Sequence, residues 1–230
     1  MAQHPPIPDR AFAAFLFDMD GTILSSIAAA ERVWTAWALR HGVDVARFLP
    51  TIHGVRAVET IRRLALPGVD AEAEAAALTL AEIDDVGGIA PIDGAARFLS
   101  SLPEGRWAIV TSAPRALALR RIEAAGLRPP PVMVTADDVA HGKPAPDCFL
   151  LAADRLGARA ADCLVFEDAP AGILAAEAAG AAVLVVTATH HGEIVSAHPR
   201  IRDYGALSCA VQQGGLRLRI DTPPVDGADR

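Results

Sequence analysis

Residues 13–22 read Ala13-Ala14-Phe15-Leu16-Phe17-Asp18-Met19-Asp20-Gly21-Thr22. A nearly continuous apolar run passes directly into two carboxylates and a Gly-Thr turn. Such a run is the pattern of a strand covered on both faces, as in a parallel sheet. An Asp at the end of a buried strand is costly unless a metal or a donor neutralises it. Alternation along an extended segment puts Asp18 and Asp20 on the same side. There, one carboxylate can attack while the other transfers a proton. Taken alone, the same residues could form a simple turn after a strand.

Four further apolar runs have the same character: 107–110, 132–134, 163–166 and 182–186. Helical patterns lie between them at 94–102, 115–125, 147–156 and 171–179, with Gly126, Gly157 and Gly180 placed as C-terminal caps. Strand and helix alternate, which predicts an α/β open parallel sheet. Between the first strand and the second, patterning is helical only, over 28–40, 55–66 and 70–85. Single crossovers in such sheets are far shorter. Residues 25–89 therefore read as an all-helical cap inserted after strand one, with hinges at Leu24-Ser25-Ser26 and around Gly87-Gly88 and Pro91. The core is then 1–24 with 90–213. Residues 214–230, rich in Gly, Pro and charge, are expected to form a flexible tail.

Three more sites follow strand ends, where open α/β sheets place ligands. In Val110-Thr111-Ser112 a hydroxyl pair opens a helix and can hold a phosphate oxygen with Oγ and backbone N–H groups. In isolation this is also an ordinary helix start. In Gly142-Lys143-Pro144-Ala145-Pro146-Asp147, Gly and Pro restrict the loop that presents Lys143, and a lysine so held can neutralise phosphate and an attacking carboxylate. On residue type alone, a surface turn fits it better. Phe166-Glu167-Asp168-Ala169-Pro170-Ala171-Gly172 ends a strand with two acids, with Asp168 placed to cap the next helix. Asp18, Asp20, Glu167 and Asp168 would converge as four acids in one crevice, where repulsion raises at least one pKa unless a divalent cation and Lys143 relieve it.

Together FDMDGT, VTS, HGKPAPD and FEDAPAG resemble the haloacid dehalogenase (HAD) superfamily, in its motif order and across the whole core. The resemblance implies a Rossmann-like core with a small helical cap and an Mg-dependent phosphatase. It implies that Asp18 forms an aspartyl-phosphate and that Asp20 acts as acid and then base. Mg2+ would be held by the Asp18 carboxylate, the Asp20 backbone carbonyl and Asp168, with Glu167 ligating or supporting its waters. Thr111, Ser112 and Lys143 would hold the phosphoryl oxygens. Cap segments Trp34–Trp37 and Ile52-His53-Gly54-Val55-Arg56 are similar to those of sugar and polyol phosphatases, which implies a small phosphorylated metabolite as substrate and His53, Gly54 and Arg56 as cap contacts. Two positions depart from the family. Ser25 stands where an acid is common, and Ala30 stands near a cap histidine of the β-phosphoglucomutases, which favours hydrolysis over the mutase alternative. A receiver-like phosphoacceptor domain, the other alternative, lacks both the insertion and the second Asp.

A formal net charge of -7 argues against a general nucleic-acid or anionic-membrane binder. The three cysteines, Cys148, Cys163 and Cys209, form no CxxC, so buried thiols in a reduced compartment are expected. The opening MAQHPPIPDR lacks a leader pattern and the most apolar stretch is too short to span a bilayer, so a cytoplasmic protein is expected. His190 and His191 read as a surface loop, and Trp34, Trp37 and Trp107 as core.

Overall fold

The computed structural model describes residues 6–190, 196–212 and 214–220. Strand β1 (Ala14–Phe17) leads to β2 (Leu24–Ser25) and then to helices α1 (Ile27–Arg40), α2 (Val45–Phe48), α3 (Ala57–Leu64) and α4 (Ala71–Asp84). The chain returns through β3 (Ala90–Pro91) to α5 (Ala95–Ser100), β4 (Trp107–Val110), α6 (Arg115–Ala124), β5 (Met133–Val134), α7 (Asp147–Arg155), β6 (Cys163–Glu167) and α8 (Pro170–Ala178). Strands β7 (Ala182–Val186), β8 (Arg200–Ile201), β9 (Leu207–Gln212) and β10 (Gly215–Ile220) complete it.

Six strands form one parallel sheet in the order β5-β4-β1-β6-β7-β8. Alternation divides their side chains between two layers. Phe15, Phe17 and Phe166 pack with Phe98, Leu117 and Ile122 on the α5 and α6 side, whereas Ala14, Leu16 and Val165 pack with Phe149, Ala152 and Ala175 on the α7 and α8 side. This two-sided burial is why the strands read as unbroken apolar runs. The Phe17 and Phe166 rings stack at 4.4 Å, and truncating either to Ala should cost about 3–5 kcal/mol. Strand order reverses direction around β1, so its carboxyl end opens into the crevice between β4 and β6.

The helices between β2 and β3 have their own apolar cluster, in which Trp34, Trp37, Phe48, Ile61 and Leu78 meet. Asp70 caps α4 by accepting from the N–H groups of Glu72 and Ala73. The outgoing and returning segments pair as an antiparallel ribbon, Leu24 with Pro91 and Ser25 with Ala90. Gly126, Gly157 and Gly180 take φ values of 65°, 66° and 75° just past their helices, the left-handed conformation that a helix-ending glycine supplies at least strain.

The end of the chain departs from expectation. Residues from Gly214 onward were read as a fraying tail, but Gly215–Ile220 is a strand paired with Leu207–Gln212. Leu216 is buried and exchanges two backbone hydrogen bonds with Phe12, at 2.8 and 2.7 Å. The alternation Leu216, Leu218, Ile220 against Arg217 and Arg219 carries the strand signal, and the Gly, Pro and charge around it masked that signal. A Cβ on Gly215 would lie 2.1 Å from the Phe12 carbonyl oxygen, so glycine is required for the close approach. Residues 221–230 lie outside the described residues. No described helix is long and apolar enough to cross a membrane.

Candidate active site

One cavity of about 690 Å³ lies between the sheet and the inserted helices. Asp18, Asp20, Thr111, Ser112 and Asp168 line it from the core, and His53 and Gly54 line it from the cap. Each core residue leaves the carboxyl end of β1, β4 or β6, so the parallel register alone brings distant motifs together.

Lys143 is buried behind Asp18. It is 1% exposed, and its Nζ donates to Asp18 Oδ1 at 2.5 Å, to Glu167 Oε1 at 2.8 Å and to the Val110 carbonyl at 3.2 Å. The surface-turn reading of this lysine is excluded by that burial. Burial works against the ammonium, but Asp18 and Glu167 outweigh it and raise its pKa. Burial, reinforced by Glu167 and partly offset by Lys143, pushes Asp18 up to about 7. Burial likewise raises Glu167, and pushes Asp168 up to about 6 against the pull of His190.

Asp18, Glu167 and Asp168 each offer a carboxylate oxygen, all within 4.8 Å of one another. Buried, hard oxygen donors of net negative charge suit a hard divalent cation, so this cluster could hold one. Glycines make the space. A Cβ on Gly21 would fall 2.1 Å from Asp168 Oδ2, and one on Gly172 1.5 Å from Glu167 Oε1. Thr22 Oγ1 donates to Asp168 Oδ1 at 3.2 Å and fixes that side chain. Glu167 Oε2 accepts from the N–H groups of Asp168 and Ala169, at 2.8 and 2.9 Å. Glu167, and not Asp168 as expected, thus satisfies the N–H groups ahead of α8. Asp168 instead turns into the cavity.

Asp20 stands apart from the three clustered acids. Its carboxylate is drawn to the cap side, where Ser26 Oγ donates to Oδ1 at 2.5 Å and Arg121 Nη1 lies 3.0 Å from Oδ2. Its side chain is therefore no part of the acidic cluster, which leaves its backbone carbonyl as the ligand atom to consider. Thr111 is buried and accepts from the Ala113 N–H at 3.1 Å, a local turn at the start of the α6 segment. Ser112 Oγ donates to the Gly54 carbonyl at 2.9 Å, so this hydroxyl joins core to cap. Arg56 departs from its expected place. Its guanidinium donates to the carbonyls of Val139 and Ala140, at 2.8 and 3.1 Å, and so faces the core loop before Lys143 instead of the cavity. Those loop carbonyls offer two acceptors to the guanidinium fork.

His190 is not a plain surface residue. Its Nε2 lies 3.2 Å from Asp168 Oδ2, and that hydrogen bond raises its pKa. His191 lies outside the described residues. Trp34, Trp37 and Trp107 are buried, as expected. Glu31, Ser26, Glu82 and Arg121 line the cavity without a sequence motif to announce them. A signal did exist for the last two. Arg121 follows Leu117 by four residues, and Glu82 follows Leu78 by four, so each puts a charge on the buried stripe of its helix.

Residues 12–180 match the haloacid dehalogenase-like hydrolase family. The chain belongs to that family and is an enzyme, a phosphoric monoester hydrolase. It is 43% identical over 178 residues to hexitol phosphatase A of Escherichia coli, covering 76% of this chain and 82% of that protein. It is 35% identical over 205 residues to 2-deoxyglucose-6-phosphate phosphatase 1 of Saccharomyces cerevisiae, covering 78% and 82%. Among solved structures, a hydrolase from Pseudomonas syringae superposes with a TM-score of 0.69 at 28% identity, over 82% of this chain and 92% of that one.

Proposed function

We propose that the enzyme hydrolyses the phosphate monoester of a small sugar or sugar alcohol, with magnesium, through a phosphoryl-Asp18 intermediate. The observation that carries this reading is the buried contact of Lys143 with both Asp18 and Glu167, behind a cavity that Asp18 and Asp20 line. An Asp Oδ attacks phosphorus as the ester oxygen departs, and Asp20 supplies the proton that the departing alkoxide needs. Asp20 then takes a proton from water as that water attacks the phosphoryl group, which releases inorganic phosphate and restores Asp18. Lys143, the Thr111 hydroxyl and the Ser112 amide receive the charge on the phosphoryl oxygens. Asp18, Asp168 and the Asp20 carbonyl would hold magnesium, with Glu167 supporting it; when bound it neutralises charge on the acids and the phosphate.

The substrate class is supported by the similarity to a hexitol phosphatase and a deoxyhexose-phosphate phosphatase, and by the cap wall. That wall presents Ser25, Glu31, His53 and Thr79, groups that exchange hydrogen bonds with hydroxyls. Burial lowers the pKa of His53, which favours its neutral, two-way form. Hydrolysis over phosphate transfer to a second sugar is supported by Ala30, which lines the cavity and has no proton to handle. Free thiols at Cys148, Cys163 and Cys209 support a cytoplasmic setting. The test is phosphate release from hexitol, hexose, pentose and glycerol monophosphates with magnesium. A preference for hexitol or hexose esters is expected. Sugar-phosphate isomers appearing without free phosphate would overturn hydrolysis.

A further inference from the structure

Asp20 is gripped by a residue outside all four motifs. Arg121, on α6 of the core, places Nη1 3.0 Å from Asp20 Oδ2 and donates from Nη2 to Glu82 Oε1 at 3.0 Å. Glu82 belongs to α4 of the cap. The side chains of Arg121 and Glu82 are each 8% exposed. With Ser26 Oγ on Oδ1, both oxygens of Asp20 have a defined partner. The chain Asp20–Arg121–Glu82 thus runs from the cavity through the core helix into the cap.

A triad of this kind is a poor stability device. Burying one cation and two carboxylates costs several kcal/mol per ion before their attraction repays it, and apolar residues of similar volume often serve stability as well or better. Leu117, Ala118 and Ile122 show that the same face of α6 accommodates apolar packing. The charges at 82 and 121 are therefore better explained by what they do to Asp20. Proton transfer to a departing alkoxide needs the carboxyl within hydrogen-bond reach and correctly aimed. A carboxylate free to rotate about its χ angles loses part of that alignment.

We propose that Arg121 is a positioning residue that aims the Asp20 carboxyl at the leaving oxygen and, through Glu82, ties that aim to the seating of the cap. The inference rests on Asp20 being the general acid and base. It carries a signature that a packing role does not. A sugar alkoxide is a strongly basic leaving group and depends on the proton from Asp20. 4-Nitrophenolate leaves without it.

The experiment measures the single-turnover rate of phosphoenzyme formation by the full chain with magnesium, using glucitol 6-phosphate and 4-nitrophenyl phosphate. Arg121→Gln should slow the sugar ester about 30-fold or more and the aryl ester about 3-fold or less. Glu82→Gln should act in the same direction more weakly, and the double variant should be no slower than Arg121→Gln alone, because the two act as one unit. Arg121→Lys should recover part of the loss on the sugar ester. Equal losses on both esters, or losses that multiply in the double variant, would overturn the inference. Where Arg121→Gln lacks a cooperative thermal transition, Arg121→Lys and Glu82→Gln decide the matter by the same ester comparison. Asp20→Asn serves as the reference. If it slows both esters equally, the acid-base reading of Asp20 fails; if it is ester-selective and the Arg121 and Glu82 variants are not, only the positioning inference fails.

Discussion

The Lys143 ammonium lies 2.5 Å from Asp18 Oδ1, with both groups shut away from solvent. The contact favours the anionic carboxylate and partly offsets burial and Glu167, which press it towards its neutral form. A neutral Asp18 is no nucleophile. Lys143→Met should therefore lower turnover by about a hundredfold or more, an effect in kcat that phosphate-release kinetics will show. Lys143→Arg should rescue little, because a planar guanidinium does not fit a space walled by Asp18, Glu167 and the Phe149 ring 5.1 Å away. Full rescue by arginine would mean that charge alone matters.

Asp18→Asn should abolish turnover of glucitol 6-phosphate and 4-nitrophenyl phosphate alike, while the protein remains folded. Removing one member of a buried acidic pair that repels itself should leave the metal-free protein at least as stable as the parent. Retained turnover would remove the nucleophile from Asp18.

Folded-state values of about 7 for Asp18 and about 6 for Asp168 stand above the usual 3.8. The folded state then binds these protons more tightly than the unfolded chain does. Their stabilising contribution is full below the unfolded value and is lost as pH rises through the folded values. A divalent cation takes the place of those protons. Magnesium should accordingly raise Tm more at about pH 7.5 than at about pH 5, where protons already occupy the acids. Asp168→Asn should erase most of the difference. An equal shift at both pH values, read by thermal unfolding, contradicts magnesium binding at this cluster.

Gly172 is pressed against Glu167, with room for no Cβ. Gly172→Ala should displace the Glu167 carboxylate from Lys143, reduce turnover severely and destabilise the fold by about 1–3 kcal/mol through overpacking. Circular dichroism melts and kcat together test it. A fully active Gly172→Ala enzyme would show that Glu167 need not be held where it lies.

Arg56 donates to the carbonyls of Val139 and Ala140 from the cap. Its removal should loosen cap seating for every substrate. Arg56→Ala should raise KM for hexitol, hexose and glycerol phosphates by similar factors, about 3- to 10-fold. His53→Ala and Glu31→Gln face the cavity and should change the ranking of those substrates instead. A selective effect of Arg56→Ala on one substrate would return Arg56 to the substrate contacts.

The core and the proposed nucleophile were legible in the one-dimensional chain because their signals are local. A strand buried on both faces must be apolar throughout, and a carboxylate at its end must be compensated, so residues 13–22 declare both the sheet and the site. Thr111, Lys143, Glu167 and Asp168 each follow a strand or bear a fixed turn, and the parallel sheet brings strand ends together whatever the intervening length. Contacts between cap and core are of a different kind. Nothing local in the sequence says that Arg121 of α6 reaches both Asp20 and Glu82, that Arg56 turns to the 139–140 carbonyls, or that Ser112 holds Gly54. The terminal strand was equally hidden, since Leu216 becomes a strand residue by pairing with Phe12 at the other end of the chain. The sequence by itself determined the α/β core, the inserted helices and the place of Asp18 at the end of its first strand. Only tertiary structure decided how the cap is fastened and what aims Asp20, because those depend on side chains meeting across two separately packed cores.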